Sequence, residues 1–332
     1  MKIAFRAEGN TEIGTGHLAR CYAVAAGCMN LGHEVCFFSR KHSDYWLRDK
    51  RIPTQILPEC NAIQEESNMF VSLASGWGAN YTFIDSYELT PNCYEEINKK
   101  VPTVVIDDYA RIPYSVSTLI NANVFAESFD YSNCIVKKYL LGSQYIILRE
   151  EFVNTPLVPF NLKVSRILIT MGGADVNNCT PFVLESLCNV QNVQLIVIVG
   201  PLFKNLVDIE NAASKCKSEV QILYSPNNLA EVFSFCDIAI SSASTTTYEL
   251  CSVGIPTILI QQADNQQMIC NFFKRNDSIY VLDEFKLLTK QAVENAVLLL
   301  IGDAHKRQRM RESVLSLVSR NGVNNIIKEA FI

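Results

Sequence analysis

Short runs of β-branched and apolar residues alternate with stretches of helical periodicity along almost the whole chain. That alternation limits the fold more than any other feature. Strand candidates are Lys2–Ala7, Glu34–Ser39, Tyr81–Asp85, Thr103–Asp107, Arg166–Met171, Gln194–Val199, Glu219–Tyr224, Ile238–Ser241 and Thr257–Ile260. Helical patterns lie between them, among them His17–Leu31, Pro91–Lys100, Cys179–Asn189, Leu229–Phe235 and Thr246–Val253. Many of the strand runs are apolar throughout, as strands are when both faces of a parallel sheet are covered. The pattern predicts an α/β protein of doubly wound, Rossmann-like domains.

The chain has 332 residues, and a prior of roughly 150 residues per domain gives two domains. The alternation restarts near Arg166. The stretch Leu141–Val164 contains Pro156 and Pro159 and has weak periodicity. The expected boundary therefore divides the chain into residues 1–155 and 156–332. The last part, Lys286–Ile332, reads as two helices broken at Gly302-Asp303. Two such domains are expected to face one another across a cleft. Ligands in these sheets bind beyond the carboxyl ends of the strands, so chemistry is sought there.

Hydrophobic residues make up 48% of the chain and charged residues 19%, enough apolar material for two cores and against a disordered chain. The net charge of −5 argues against nucleic acid as a partner, which needs clustered Lys and Arg. The basic runs Arg40-Lys41-His42, Lys137-Lys138 and His305-Lys306-Arg307 are short and read as solvated faces. No run of 18 apolar residues is present and the first residues show no secretion signal, so no membrane association and a cytoplasmic location are expected. The 12 cysteines contain no Cys-x-x-Cys pair. They are read as buried thiols, and neither a metal nor another cofactor is expected. No obligate protein partner is predicted.

Three segments at strand ends carry candidate chemistry. After the first strand comes Glu8-Gly9-Asn10-Thr11-Glu12-Ile13-Gly14-Thr15-Gly16-His17 and then a helix. Gly14 and Gly16 let the backbone turn tightly and approach a ligand, and His17 at the helix start is placed to act as a general base. The alternative is a helix-terminal histidine with a satisfied hydrogen bond. After strand Arg166–Met171, the double glycine Gly172-Gly173 leads to Asn178 at a helix entrance, either a ligand contact or a plain N-cap. The third segment, Ser241 to Leu250, groups small hydroxyl residues at a helix start. Thr245 and Thr246 there can hold a diphosphate, and Glu249 can take the hydroxyls of a ribose. A capping box, Thr246-x-x-Glu249, is the alternative. Asn265 and Gln266 follow strand Thr257–Ile260 and can line the same pocket. The carboxylates Asp85, Asp107 and Asp108 end strands, but adjacent residues point to opposite sides, so a shared metal is not expected.

Taken in order, these segments resemble a known family. Phe5-Arg6-Ala7 through Ile13-Gly14-Thr15-Gly16-His17-Leu18-Ala19-Arg20-Cys21, then Leu141-Gly142 through Leu148-Arg149-Glu150-Glu151-Phe152, resemble the PseG family of nucleotide-sugar hydrolases from pseudaminic acid biosynthesis. Met171-Gly172-Gly173-x-Asp175-x-x-Asn178, Thr245-Thr246-x-x-Glu249 to Gly254-Ile255-Pro256, and Asp264-Asn265-Gln266 continue the likeness. It spans about residues 2 to 270. The resemblance implies a GT-B-like fold and hydrolysis of UDP-2,4-diacetamido-2,4,6-trideoxy-β-L-altropyranose to UDP and free sugar. It implies inverting attack by water that His17 activates, without a metal or other cofactor, and UDP contacts from Asn178 and Glu249. Candidate substrate contacts are thus Arg6, Gly14, Gly16, Tyr87, Asn178, Thr245, Thr246, Glu249, Asn265 and Gln266. The sequence departs from the family at Glu8, where an Asp is frequent, and at Ala243 and Ser244, where Gly is frequent. Two further functions are kept alongside: a GT-B glycosyltransferase using a UDP-amino-sugar, and a non-catalytic nucleotide-sugar binding protein.

Overall fold

The computed structural model of the chain describes residues 1–7, 16–41, 47, 50, 52–175 and 177–331. The described residues form two compact units. One comprises Met1–Arg149 with Arg320–Ile332, the other Glu150–Ser319.

In the first unit, strands β1 (Lys2–Ala7), β2 (Glu34–Ser39), β3 (Thr54–Ile56), β4 (Tyr81–Asp85), β5 (Thr103–Ile106), β6 (Ser115–Asn121) and β7 (Ile135–Leu141) form one sheet. Its order is β3-β2-β1-β4-β5-β6-β7 and neighbouring strands run parallel. The helices are α1 (Gly16–Asn30), α2 (Ile63–Trp77) and α3 (Pro91–Lys100). β1 shows why both faces must be covered. Ile3, Phe5 and Ala7 join Leu18, Val24 and Ala25 of α1 on one side, while Ala4 joins Phe70, Val71 and Tyr94 on the other. Each buried Ile, Val, Leu or Phe side chain among them contributes about 1.5–3 kcal/mol over its exposed form. Local signals agree with the ends: Thr90 caps α3 by accepting from the Cys93 amide, Pro91 opens it, and Gly78 closes α2 in the left-handed region at φ 84°.

The second unit repeats the plan. Strands β8 (Arg166–Thr170), β9 (Gln194–Val199), β10 (Glu219–Tyr224), β11 (Ile238–Ser242), β12 (Thr257–Gln261) and β13 (Tyr280–Glu284) form a parallel sheet in the order β10-β9-β8-β11-β12-β13. Its helices are α4 (Glu150–Val153), α5 (Cys179–Ser186), α6 (Leu206–Ala213), α7 (Leu229–Phe233), α8 (Thr245–Val253), α9 (Gln267–Arg275), α10 (Lys290–Gly302) and α11 (Ala304–Leu317). Its core includes Ile167, Ile169, Leu184, Val197, Ile240 and Ile258. The α/β, doubly wound class read from the sequence is the class observed.

Several elements went unread in the sequence. β7 is an edge strand with mostly outward side chains, and Lys137-Lys138 sits in its middle. The lysines mask the strand pattern, as charges on edges commonly do. β3 is too short to show a period, and β6 mixes polar Ser115, Ser117 and Thr118 into its run. The C-terminal part holds three helices rather than two. The third, α12 (Gly322–Ala330), belongs to the first unit and not to the second half of the chain as expected. A Cβ on Gly322 would stand 1.9 Å from the Ile146 carbonyl oxygen, so α12 begins in a contact that excludes any side chain. Phe331 then lies against Tyr81 and Phe83, with ring centroids 5.4 and 6.2 Å away. The two units meet in sequence at Arg149/Glu150, six residues before the expected boundary.

All 12 cysteines are free thiols and eight are buried. Burial pushes the Cys28 thiol up to about 12 and that of Cys270 to about 11, as for small apolar residues. Among the described residues no helix is long and apolar enough to cross a membrane.

Candidate active site

In the first unit the strand order reverses between β1 and β4, the place where a doubly wound sheet opens toward a ligand. Ala7 and Asp85, the last residues of these strands, are partners in the register. His17, the second residue of α1, is buried and its Nδ1 lies 2.6 Å from Asp85 Oδ1. Arg20 follows one turn later on the same helix face. It donates from Nε (2.5 Å) and Nη2 (2.7 Å) to Asp85, and from Nη1 (3.0 Å) and Nη2 (2.8 Å) to Asp108. The Tyr87 hydroxyl donates to Asp108 at 2.5 Å, and the Asn123 amide donates to it at 3.3 Å. The Tyr87 ring meets the His17 imidazole edge-on at 4.6 Å.

Burial alone would raise the Asp85 carboxyl. The Arg20 guanidinium and the His17 ring outweigh it and hold the group well below the usual carboxylate range. Asp108 is lowered in the same way, against burial, chiefly by Arg20. Burial and then the Asp108 charge push the Tyr87 phenol up, so it stays a donor. An ionised Asp85 accepts from Nδ1–H, so in the neutral ring this pairing would leave the lone pair on Nε2. This is the arrangement of an oriented general base.

Asp107 turns to the other face of the sheet. It accepts from the hydroxyls of Tyr114 (2.9 Å) and Tyr131 (2.7 Å) and from the Ala110 amide (2.8 Å). The adjacent carboxylates diverge, as the sequence implied. Among the described residues no cluster of His, Cys, Asp and Glu is arranged to hold a metal ion.

Arg6 also points to the opposite face of β1 from His17. It is buried and pairs with Glu66 at 2.5 Å, which in turn binds Arg40 at 2.9 Å, and Arg40 pairs with Glu88 at 2.7 Å. Among the described contacts, Arg6 thus begins a buried ion-pair chain. Gly16 is exposed at the start of α1, with open space where a Cβ would stand. Gly14 and Glu8 lie outside the described residues.

In the second unit a cavity of about 530 Å³ opens at the carboxyl ends of β8, β11, β12 and β13. Gly172, Gly173, Ser244, Thr245, Thr246 and Gln266 are among its lining residues. The Gly172 backbone is left-handed at φ 79°, a region that favours glycine. Gly200 at the end of β9 presses on this turn: a Cβ there would stand 2.5 Å from the Gly173 carbonyl oxygen. The Gly172-Gly173 turn is thus packed directly against the Gly200 backbone. The segment before α8 is also built by its sequence. Ser244 caps the helix through the Thr246 amide, and Thr247 closes the box by accepting from the Ser244 amide. The box is Ser244-x-x-Thr247, two residues earlier than the sequence alternative, and Glu249 is not its acid. Ser244 has extended backbone at φ −145°, so no glycine is required where the family frequently has one.

Thr245, Thr246 and Gln266 come together at this cavity, whereas Asn178, Glu249 and Asn265 are not among its lining residues. Asn178 is in the left-handed region at φ 54°, and its amide donates to Asp208 at 2.9 Å. It does not cap α5. Asp175 does so, taking the amides of Cys179 (2.8 Å) and Thr180 (2.6 Å). Glu249 is buried on α8, one turn inside the helix. Asn265 is exposed on a 3₁₀ turn, and Gln266 accepts from the Gln262 amide at 2.8 Å. Sequence reading missed Arg20 and the pairing of Asp85 and Asp108. Its available signals were an arginine three residues after His17 and aspartates ending adjacent strands.

Comparison with known proteins gives the class first. Over 98% of both chains the structure superposes on MurG of Acinetobacter baumannii with a TM-score of 0.74 at 14% identity, and the fold is GT-B. Residues 166–329, just under half of the chain, match the model of the glycosyltransferase family 28 C-terminal domain. Among relatives in sequence, the uncharacterized protein MJ1062 of Methanocaldococcus jannaschii is 25% identical over 283 residues, or 80% of this chain. The matched region spans 57% of that protein's length. The UDP-2,4-diacetamido-2,4,6-trideoxy-beta-L-altropyranose hydrolase of Campylobacter jejuni is 22% identical over 253 residues, covering 75% of this chain and 87% of that protein.

Proposed function

We propose that the protein is a nucleotide-sugar hydrolase that cleaves the anomeric C–O bond of a UDP-diacetamido-trideoxy-hexose. The observation that carries this reading is the His17–Asp85 pair at the carboxyl end of β4. A water molecule attacks C1 with inversion and gives a proton to Nε2 of His17. The bond from C1 to the phosphate oxygen breaks, and its electron pair leaves with UDP. Asp85 holds the ring in the required tautomer and favours the imidazolium that forms. Thr245, Thr246, the turn at Gly172-Gly173 and the start of α8 are assigned to the diphosphate, whose developing charge they stabilise. No step in this reading uses a metal. The sequence likeness to the Campylobacter hydrolase supports the sugar class.

The test is incubation with a panel of UDP-amino-sugars in ¹⁸O water, followed by mass spectrometry. The expected result is UDP release with label in the free sugar and none in UDP. Release of unlabelled sugar with labelled UDP would place cleavage at phosphorus and defeat the reading. The match to a glycosyltransferase domain favours a second reading, transfer of the sugar to an acceptor. UDP-sugar alone would then release almost no UDP.

A further inference from the structure

Among the described hydrogen bonds His17 pairs with Asp85 and not with Asp108, yet the fold brings Asp108 to the same guanidinium as Asp85. Arg20 reaches both carboxylates with three nitrogens. The polar and charged groups facing this cluster can be named by element. From α1 they are His17 and Arg20. At the end of β4 and just beyond it they are Asp85 and Tyr87. After β5 they are Asp108, Tyr109 and Arg111, and after β6 Asn123. Arg111 is exposed and stacks on the outer rings, 4.4 Å from the Tyr109 centroid and 5.8 Å from that of Tyr87. Its charge is screened by water, while Asp85, Arg20 and Asp108 are largely out of it.

Among the described residues the inner cluster therefore sets two carboxylates against one guanidinium. We propose that Asp108, clamped by Arg20, is a positioning residue that sets the base strength of His17. The cluster reaches charge balance only when the imidazole has taken a proton. In low dielectric, a missing positive charge of this kind favours the protonated ring. A buried Asp–His pair with its own arginine would be neutral beforehand and would oppose the proton. The second carboxylate reverses that: it offsets Arg20, and Asp85 is left to pair with the imidazolium. Tyr87 adds direction, since its hydroxyl fixes Asp108 while its ring edge abuts His17.

This inference rests on the proposed hydrolase reading for its catalytic meaning, but its central measurement needs no substrate. The four histidines of the full chain are ¹⁵N-labelled and titrated by NMR, with His17→Gln identifying the His17 signals. Asp108→Asn is expected to lower the His17 titration midpoint by about one pH unit, and Asp108→Glu to restore it. Arg20→Gln carries the opposite sign and raises the midpoint, which keeps the test decisive if Asp108→Asn does not fold. A merely structural Asp108 would make Asn and Glu variants behave alike. Equal midpoints in Asp108→Asn and the wild type, or equal shifts in both Asp108 variants, overturn the proposal. The same proteins are then assayed for UDP release from UDP-2,4-diacetamido-2,4,6-trideoxy-β-L-altropyranose, where the acid limb of kcat/KM should move with the NMR midpoint. NMR shifts without UDP release in the wild type would remove the hydrolase reading and leave the charge assignment standing.

Discussion

The two units use one architecture in opposite ways. Each is a parallel sheet with a reversal of strand order, and each places its candidate site at the carboxyl ends of the strands beside that reversal. The first unit fills the place with charge: His17, Arg20, Asp85 and Asp108 are locked to one another. The second keeps it open. There the wall is made of glycine turns, small hydroxyls and a helix start around a cavity. The helix starts differ too. α5 in the second unit has its first amides taken by Asp175, and the helix start that lines the cavity is that of α8. A proton-handling group needs fixed partners, because its basicity depends on them. A ligand-holding site needs empty space and backbone donors. Under the proposed reading the contrast divides the labour: base chemistry is assigned to one unit and anion binding to the other.

The sharpest way to break that division is His17→Gln. Turnover is expected to fall about 10²–10⁴-fold, with UDP affinity by calorimetry unchanged. A matching loss of UDP affinity would merge the two roles.

Asp85→Asn comes next and tests how tightly the charged site is bound into the fold. Removing one partner of a fully buried ion pair costs about 3–5 kcal/mol, read by chemical denaturation at pH 7. The sign with pH follows from the direction of the shifts. Asp85 and Asp108 are both held below their ordinary values. Their stabilisation is fully present above about pH 4 and is lost as pH falls through their folded-state values. The gap between wild type and Asp85→Asn should therefore narrow on acidification. A gap independent of pH would mean that the pair acts through packing alone.

The smallest effect is expected from Gly200→Ala, which probes the open site without touching a ligand contact. The added methyl meets the Gly173 carbonyl oxygen and must displace the Gly172-Gly173 turn. UDP affinity should weaken about tenfold, or roughly 1.4 kcal/mol, with His17-dependent turnover of bound substrate little changed. Full affinity in the variant would show that the turn plays no part in binding.

Much of this was legible in the residues. Strands β1, β2, β4 and β9 run where the apolar patterns put them, because a strand covered on both faces leaves a largely apolar run. His17 and Thr246 lie at the helix starts where the residue pattern put them, since turn chemistry is local. The buried partner of Arg6 was not legible, for an equally physical reason. Side chains alternate along a strand, and Arg6 falls on the face opposite His17, where Glu66 waits from a helix 60 residues on. No local pattern reports such a partner. The same applies to the capping box of α8, which the chain closes at Ser244 and Thr247 rather than at the equally well-formed Thr246 and Glu249.

By itself, the order of residues determined the class of fold, the two sheets and the turns that carry glycine, because propensity, periodicity and backbone freedom are properties of neighbours in the chain. Tertiary structure alone decided that the last helix returns to the first unit, and that an arginine on α1 joins an aspartate at the end of β4 to one just beyond β5. Those choices depend on which surfaces meet once the sheets have formed, and on which charges then lose their water.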